Sequence, residues 1–271
     1  MSSPAALSPY DRGLHFGDGL FETIACLNGK ARFLSLHLER LSQGCERLRI
    51  NLGDVEPVRH EVQQVAAAAD EALVKLIVTR GEAVARGYGW AGTEVATRFV
   101  LQYPLPPENT TAVRDGIRAS VATLRYGENE ALAGMKHLNR LEQVVARSEV
   151  PAEQAAELLV FSSSGTLVSG TMSNVFLVRH GHLLTPRLDR CGVAGVMRRV
   201  VIREAAADGI AVHEAALDAD DLAGAEEVFV TNARIGIWPV RTLDSREIGV
   251  GALTRRLQTC LAPLLEGPAD A

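Results

Sequence analysis

One lysine stands where an amine could act as a nucleophile. Lys136 lies in AGMKHLNRLE, residues 133–142, and Leu138, Leu141 and Val145 follow it at helical spacing. This pattern predicts that Lys136 lies at the start of a helix in an apolar surround. Both conditions favour the neutral amine, which is the form that attacks a carbonyl to give a Schiff base. The alternative is an inert, solvated lysine at a helix start.

Two further features could bind a phosphate. Gly192 and Gly195 stand in CGVAGVMR, and the residues after Gly195 predict a helix to about Ala207. Glycine lets the backbone N–H groups of a first helical turn approach an anion, although an ordinary loop-to-helix junction would look the same. Arg40, in HLERL, borders an apolar helical stripe, so it could reach solvent or form a charge-assisted fork on a phosphate.

Other chemistries lack their usual motifs in this sequence. It contains no GxGxxG, GxxxxGK[ST], HExxH or GxSxG. The histidines show no metal-ligand spacing and none of the four cysteines forms a CxxC pair. We therefore expect no metal site, and we expect the cysteines to be small buried apolar residues.

The elements that would position these residues follow from periodicity. Leu34, Leu38, Leu41, Cys45 and Leu48 predict one face of a helix. Ser35 is its predicted N-cap. A second, Ala-rich helix is predicted at 55–69. Strands are predicted at 73–79, 99–103, 117–124, 158–162, 166–168, 175–179, 182–185 and 227–230, with a turn at Gly181.

Runs of strands with few helices predict an α+β fold. Pro104, Pro106 and Pro107 exclude a helix interior or a central strand. We therefore predict a small N-terminal domain at 1–103, a linker at 104–112 and a larger C-terminal cofactor-binding domain at 113–271.

Composition narrows the partners and the location. The chain has 271 residues, a formal net charge of -5 and a pI of about 5.8. No block of Lys and Arg predicts a nucleic-acid-binding face. No stretch approaches the ~20 apolar residues of a membrane span, and the first residues do not resemble a signal peptide. We expect a cytoplasmic, reduced protein that binds neither nucleic acid nor membrane.

Seven segments, in order, resemble the fold type IV pyridoxal-phosphate (PLP) enzymes, a family of branched-chain aminotransferases, D-amino-acid transaminases and aminodeoxychorismate lyases. They are FGDGLFET (16–23), HLERL (37–41), RGYG (86–89), KHLNRLEQV (136–144), SNVFLV (173–178), TPRLDRCGVAGVMR (185–198) and VTNARIGIWPV (230–240). The resemblance implies a homodimer with a small N-terminal α/β domain and a larger C-terminal β-rich, pseudo-barrel domain. AGMKHLNRLEQV is most similar to the lyases of the family.

The resemblance also implies a role for individual residues. Lys136 matches the lysine that binds PLP covalently, and Arg40 matches a phosphate-binding arginine. Val196 and Met197 match the helix-start residues whose backbone N–H groups hold the phosphate. Asn232 and Ala233 match a second loop at that phosphate. Three match positions near the substrate: Thr23, Arg86 and Tyr88.

The sequence departs from the family at two places. Ser169 stands where relatives usually carry a glutamate that protonates the pyridine nitrogen of PLP, and the alignment has no gap on either side. A carboxylate there would favour the charged ring, whereas a hydroxyl offers no such charge. The second departure is at the N-terminus, where relatives usually carry a strand before FGDG that we expect to be missing or altered here.

The resemblance implies that the enzyme converts 4-amino-4-deoxychorismate to 4-aminobenzoate and pyruvate in folate synthesis, with PLP as cofactor. One alternative is a D-amino-acid or branched-chain aminotransferase of the same fold, which a keto-acid acceptor would reveal. The other is a non-catalytic protein that binds PLP, and retention of Lys136 argues against it.

Overall fold

The computed structural model describes residues 7–83 and 86–267. These residues form two compact units. The N-terminal unit comprises the described residues up to Leu105 together with Lys136–Asn139. The C-terminal unit comprises Pro106–Met135 and the described residues from Arg140 onward. The domain limits expected from the sequence stay a prediction.

The N-terminal unit is a small antiparallel sheet covered by helices. Its strands lie in the order β2 (Lys30–Ala31), β1 (Gly19–Leu27), β3 (Glu71–Thr79) and β4 (Thr97–Tyr103). Its helices are α1 (Arg12–Phe16), α2 (Leu34–Leu48) and α3 (Val55–Ala66).

Hydrophobic periodicity explains how these elements pack. Leu34, Leu38 and Leu41 on α2 are at most 2% exposed, and α2 packs on β1. On β3 the buried side chains alternate with partly exposed ones, as in a strand with one face on the core. Each fully buried leucine stabilises such a core by about 1.5–3 kcal/mol.

The C-terminal unit is built on a larger, mixed sheet. Its main path, in order, is β10 (Val212–Ala215), β9 (His182–Pro186), β8 (Asn174–Arg179), β11 (Glu227–Asn232), β12 (Gly236–Leu243), β5 (Ile117–Tyr126), β6 (Glu157–Ser162) and β7 (Leu167–Gly170), while β13 (Arg246–Glu247) pairs with β12. Its helices are α4 (Thr110–Asp115), α5 (Leu141–Arg147), α6 (Val196–Ala207), α7 (Ala219–Ala223) and α8 (Ala252–Glu266). The sheet curls, since β7 at one end packs against β8. Strand pairs β9–β10, β5–β12 and β5–β6 are parallel and the others are antiparallel.

The fold class expected from the sequence is confirmed: an α+β fold with a β-rich, curled C-terminal sheet. Two local predictions were wrong. The N-cap of α2 is Phe33 in the left-handed region, not Ser35, and α3 ends at Ala66, not at Ala69. Of the cysteines, Cys26 and Cys45 are buried, but Cys191 and Cys260 are only half-buried. The expected change at the N-terminus falls partly on residues 1–6, outside the described residues.

Candidate active site

Lys136 lies in an extended segment and not at a helix start. Its backbone carbonyl accepts a hydrogen bond from the N–H of Phe21 (3.0 Å), and the N–H of Leu138 donates to the carbonyl of Gly19 (2.9 Å). The helix predicted here begins only at Leu141. The predicted helix start was therefore wrong, because residues 136–138 satisfy their backbone groups on β1. The Nζ of Lys136 lies 4.3 Å from the centroid of the Phe21 ring, which stabilises the ammonium form.

Thr23 shares a face of β1 with Phe21, because side chains two apart on a strand point the same way. Thr23 pairs with Lys75 on β3, and the Nζ of Lys75 lies 5.2 Å from the Phe21 ring. The N-terminal unit thus brings the predicted Thr23 and Lys136 to one face, beside an aromatic ring and a second lysine that the sequence reading missed.

Arg40 lies in a buried ionic network centred on Glu22. The Nε of Arg40 donates to one carboxylate oxygen of Glu22 at 2.8 Å, and its Nη2 donates to the other. The Nδ1 of His37 donates to the same carboxylate at 2.7 Å. Glu22 and His37 are each 1% exposed. The phosphate contact expected of Arg40 stays a prediction; what the structure adds is the carboxylate that holds its guanidinium.

The pKa values of Glu22 and His37 are both lowered in this network. Burial alone would raise the pKa of Glu22, but the charge of Arg40 and the hydrogen bond from His37 lower it to about 2. Burial lowers the pKa of His37, and the hydrogen bond that His37 donates to Glu22 opposes this without reversing it. The charges of Arg40 and Lys136 lower the pKa of His37 further. At neutral pH the network is therefore a carboxylate, a neutral imidazole and a guanidinium.

Arg86 and Tyr88 lie on an exposed loop that a buried arginine fixes. Arg12, 3% exposed, donates to the carbonyls of Gly87 (3.2 Å), Tyr88 (2.9 Å) and Gly89 (3.1 Å). Tyr88 is 82% exposed. Arg86 is also exposed. Their expected role near the substrate stays a prediction.

Asp18 of FGDG anchors the same region. It accepts hydrogen bonds at 2.8 Å from Arg12 and from Arg80. Burial would raise the pKa of Asp18, but these two hydrogen bonds lower it. The sequence reading did not predict this anchor, although the acidic residue between two glycines was its signal.

In the C-terminal unit, two loops expected at the phosphate meet at a pair of asparagines. Asn174 donates to the carbonyl of Val193 (2.9 Å), in the loop before α6. Asn232 donates to the carbonyl of Met172 (3.1 Å) and accepts from the N–H groups of Arg234 and Ile235. Because Thr231 pairs with Asn174 on neighbouring strands, the loop that leads into α6 at Val196–Met197 and the loop of Asn232–Ala233 are brought together.

The start of α6 fits an anion. Gly195 is its N-cap, and a glycine offers the N–H groups of the first turn no side-chain acceptor. A Cβ on Gly195 would lie 2.0 Å from the Oδ1 of Asn174, so only glycine allows this approach. Val196 and Met197 are buried directly after it. A phosphate group suits this backbone cradle at the positive end of a helix.

Ser169 lies on β7 and is 7% exposed. Its hydroxyl donates to the carbonyl of Gly170 at 2.8 Å. It pairs with Val160 on β6. At this point of the strand the side chain therefore carries a hydroxyl and not a carboxylate. Its contact with a cofactor ring stays a prediction.

Within residues 7–83 and 86–267 no group of His, Cys, Asp and Glu could hold a metal ion. Over the same residues, no helix has the length and apolar character that crossing a membrane requires.

Comparison with known proteins places the chain in a class. Residues 19–243 match the family described as amino-transferase class IV, and the chain belongs to that family. It is 32% identical to an aminodeoxychorismate lyase of Vibrio harveyi over 252 residues, 92% of this chain and 93% of the relative. The expected family is thereby confirmed.

Two solved structures extend the likeness. A 4-amino-4-deoxychorismate lyase from Pseudomonas aeruginosa superposes with a TM-score of 0.94 and 43% identity, over 98% of this chain and 97% of that one. A hypothetical aminotransferase from Mycobacterium tuberculosis, in its PLP-bound form, gives a TM-score of 0.84 at 22% identity, over 98% and 95% of the two chains. The second likeness is one of fold alone.

Proposed function

We propose that this chain is an aminodeoxychorismate lyase, which converts 4-amino-4-deoxychorismate to 4-aminobenzoate and pyruvate. One observation carries the proposal: the 43% identity and TM-score of 0.94 to the Pseudomonas lyase over nearly all of both chains. AGMKHLNRLEQV at 133–144, the segment that includes Lys136, points the same way.

We propose PLP as the cofactor, supported by the family and by the backbone cradle at α6. When bound, PLP supplies an electron sink for the carbon that carries the substrate amine. Lys136 would bind it covalently. Its phosphate would be held by Arg40, by the N–H groups of Val196 and Met197, and by the loop of Asn232 and Ala233.

Lys136 would also move the protons of the reaction. Its Nζ would remove the proton from the carbon bearing the substrate amine, hold it, and return it to the departing enolpyruvyl fragment. The face of Phe21, 4.3 Å away, stabilises the charge that Nζ holds in between. Since the backbone of residues 136–138 is hydrogen-bonded to β1, the side chain that carries the amine extends from a fixed backbone position. Positioned proton transfer contributes about 10²–10⁴-fold in rate.

Ser169 would favour elimination over amino-group transfer. A neutral hydroxyl offers no negative charge to a ring nitrogen, so the ring would stay a weaker electron sink. An elimination that ends in an aromatic product depends less on that sink than transamination does. The second candidate function is therefore an aminotransferase, favoured by the family description and disfavoured by Ser169.

The remaining parts of the proposal concern the setting of the enzyme. We propose a homodimer, as the family resemblance implies, and a role in folate synthesis, where 4-aminobenzoate is a precursor. The four free cysteines suit a reducing cytoplasm.

A pair of assays tests the function. Purified enzyme with PLP should form 4-aminobenzoate and pyruvate from 4-amino-4-deoxychorismate. It should transfer amino groups from D-alanine or leucine to a keto acid much more slowly. Borohydride should fix the cofactor at Lys136, as peptide mapping would show. Efficient transamination without lyase turnover would establish the rival function instead.

A further inference from the structure

Glu157 is a buried carboxylate that the proposed chemistry does not use. It is the first residue of β6 and is 0% exposed. Oε1 accepts from the N–H groups of Leu158 (2.9 Å) and Thr171 (3.0 Å) and from the Thr171 hydroxyl (2.5 Å). Oε2 accepts from the Met172 N–H (3.3 Å) and the Ser173 hydroxyl (2.6 Å). Neutral donors of a single turn, 171–173, thus surround most of the carboxylate.

The backbone of the turn is shaped around this side chain. A Cβ on Gly170 would lie 2.6 Å from the Cδ of Glu157, so the chain can pass there only as glycine. Leu159 pairs with Gly170 and Val160 with Ser169. Because side chains alternate along strands, Glu157 lies on the sheet face opposite Ser169. It therefore cannot take over the role of a carboxylate at position 169.

The same turn supports both loops expected at the phosphate. The carbonyl of Met172, inside the turn, accepts from Asn232 at 3.1 Å. Asn174 follows the turn directly and holds the carbonyl of Val193 at 2.9 Å. The position of Asn174 in turn fixes the approach of Gly195, the N-cap of α6. A displacement of the turn would therefore move both loops together.

We propose that Glu157 is a positioning residue that sets the two phosphate-binding loops, an inference that rests on the proposed PLP cofactor. Glu157 does not touch the cofactor and acts through the turn 171–173. If its carboxylate is replaced by an amide, an NH₂ group takes the place of one carboxylate oxygen and faces hydrogen-bond donors of the turn. The buried N–H and O–H groups that donated to that oxygen then lose their acceptor. The turn must then rearrange. The N–H groups aimed at the phosphate would lose their alignment, on which charge-assisted hydrogen bonds depend.

The chain offers a matched control in Glu227. Its carboxylate also accepts from neutral donors of one segment: the N–H groups of Leu253 (3.1 Å) and Thr254 (2.8 Å) and the Thr254 hydroxyl (2.6 Å). These donors belong to the first turn of α8. Glu227 lies at the opposite end of β11 from Asn232, and Arg256 on α8 bonds Asp208 beyond the C-terminal end of α6. Glu227→Gln thus removes the same kind of contact from the same unit at a distance from the two loops.

The experiment compares the affinity for PLP with the affinity for pyridoxal, which lacks the phosphate. Both are titrated into apoenzyme of the parent, Glu157→Gln and Glu227→Gln, and ³¹P NMR of the holoenzymes reports the phosphate surroundings. In the parent PLP should bind more tightly than pyridoxal. Glu157→Gln should reduce that preference about tenfold or more, the effect of losing a charge-assisted contact, and shift the ³¹P resonance. Glu227→Gln should keep the parent's preference and resonance, even with a lower melting temperature.

A milder variant keeps the test decisive where Glu157→Gln does not fold. Ser173→Ala removes a single donor and should lower the preference for PLP less, in the same direction. The inference is overturned if the variants of the turn keep the parent's preference and resonance, or if Glu227→Gln changes both equally. If the parent shows lyase activity and prefers PLP over pyridoxal, such a result overturns only the role of Glu157 and leaves the proposed function intact. A parent with neither property overturns the proposed function as well.

Discussion

Glu22 in the N-terminal unit and Glu157 in the C-terminal unit are both buried carboxylates, with 1% and 0% exposure. They are stabilised by different means. Glu22 is hydrogen-bonded by the guanidinium of Arg40 and by His37, whereas Glu157 is surrounded by the N–H and O–H groups of one turn. The guanidinium of Arg40 compensates the negative charge of Glu22, whereas the neutral donors around Glu157 fix the position of its carboxylate. Charge compensation therefore characterises the first site and hydrogen-bond geometry the second.

The same contrast extends beyond these two residues. In the N-terminal unit Asp18 is paired with Arg12 and Arg80, and Lys136 lies over an aromatic ring. In the C-terminal unit the groups expected at the phosphate are the uncharged backbone N–H groups of Val196 and Met197 and the loop of Asn232 and Ala233. We therefore expect substitutions of charge to act most strongly in the N-terminal unit.

The largest effect is expected at Lys136, the proposed centre of the chemistry. Lys136→Ala should lower lyase turnover by at least about 10²–10⁴-fold and abolish borohydride labelling. The fold should survive, because the hydrogen bonds of residues 136–138 to β1 are made by the backbone. Circular dichroism measures the fold, and mass spectrometry of the borohydride-reduced protein measures the labelling. Normal labelling in the variant would remove Lys136 from the site.

Acid should destabilise the parent through Glu22. A pKa of about 2 in place of 4.5 corresponds to about 3 kcal/mol, as an order of magnitude. Because the folded-state pKa is depressed, this stabilisation is complete above pH 4.5 and is lost as pH falls toward 2. The lowered pKa of His37 acts in the same direction, since the unfolded chain binds its proton first.

Urea unfolding between pH 7 and the lowest pH at which the chain folds measures this dependence. Glu22→Gln should be less stable at pH 7 by about 3–5 kcal/mol, the cost of breaking a buried pair, and should depend less on pH below 4.5. Glu39→Gln, on the exposed side of α2, is the control and should follow the parent. A Glu22→Gln variant with the parent's pH dependence would contradict the assigned network.

Arg40→Ala should weaken PLP binding by about 1.5–3 kcal/mol, the loss of a charge-assisted contact. It should also destabilise the N-terminal unit, because Glu22 loses a partner. Arg98→Ala, which breaks the partly exposed pair with Glu61, is the control and should cost about 0–1 kcal/mol of stability with no change in PLP affinity. Fluorescence titration and thermal melts separate the two effects. Equal PLP affinity in parent and Arg40→Ala would remove Arg40 from the phosphate site.

The smallest effect, a change in reaction preference, is expected at Ser169. Ser169→Glu introduces a charge at a buried position of the C-terminal unit and should raise the ratio of transaminase to lyase activity with saturating PLP. Ser169→Ala, which adds no charge, should leave the ratio near that of the parent. Overpacking at this buried position should cost about 1–3 kcal/mol, so only the ratio is diagnostic. An unchanged ratio in Ser169→Glu would show that this position does not select the reaction.

The elements were largely predictable because their signals are local. The apolar spacing on α2 and the glycine before α6 predicted these two helices, and α6 runs from Val196 to Ala207 as expected. The seven family-like segments indicated the class IV family and the fold, and both are confirmed. Periodicity misled at Lys136, where Leu138 and Leu141 fit a helical stripe but the backbone pairs with β1.

The sequence by itself determined the residue types that could do chemistry: a lysine, glycines before a helix, an arginine near an apolar stripe, and a serine in place of a glutamate. Only the tertiary structure decided the partners of these groups. Glu22 meets Arg40, and Glu157 meets the turn 171–173, because strand pairing and helix packing bring distant segments together. The hydrogen bonds of a buried carboxylate depend on that packing, and no local pattern of residues encodes them.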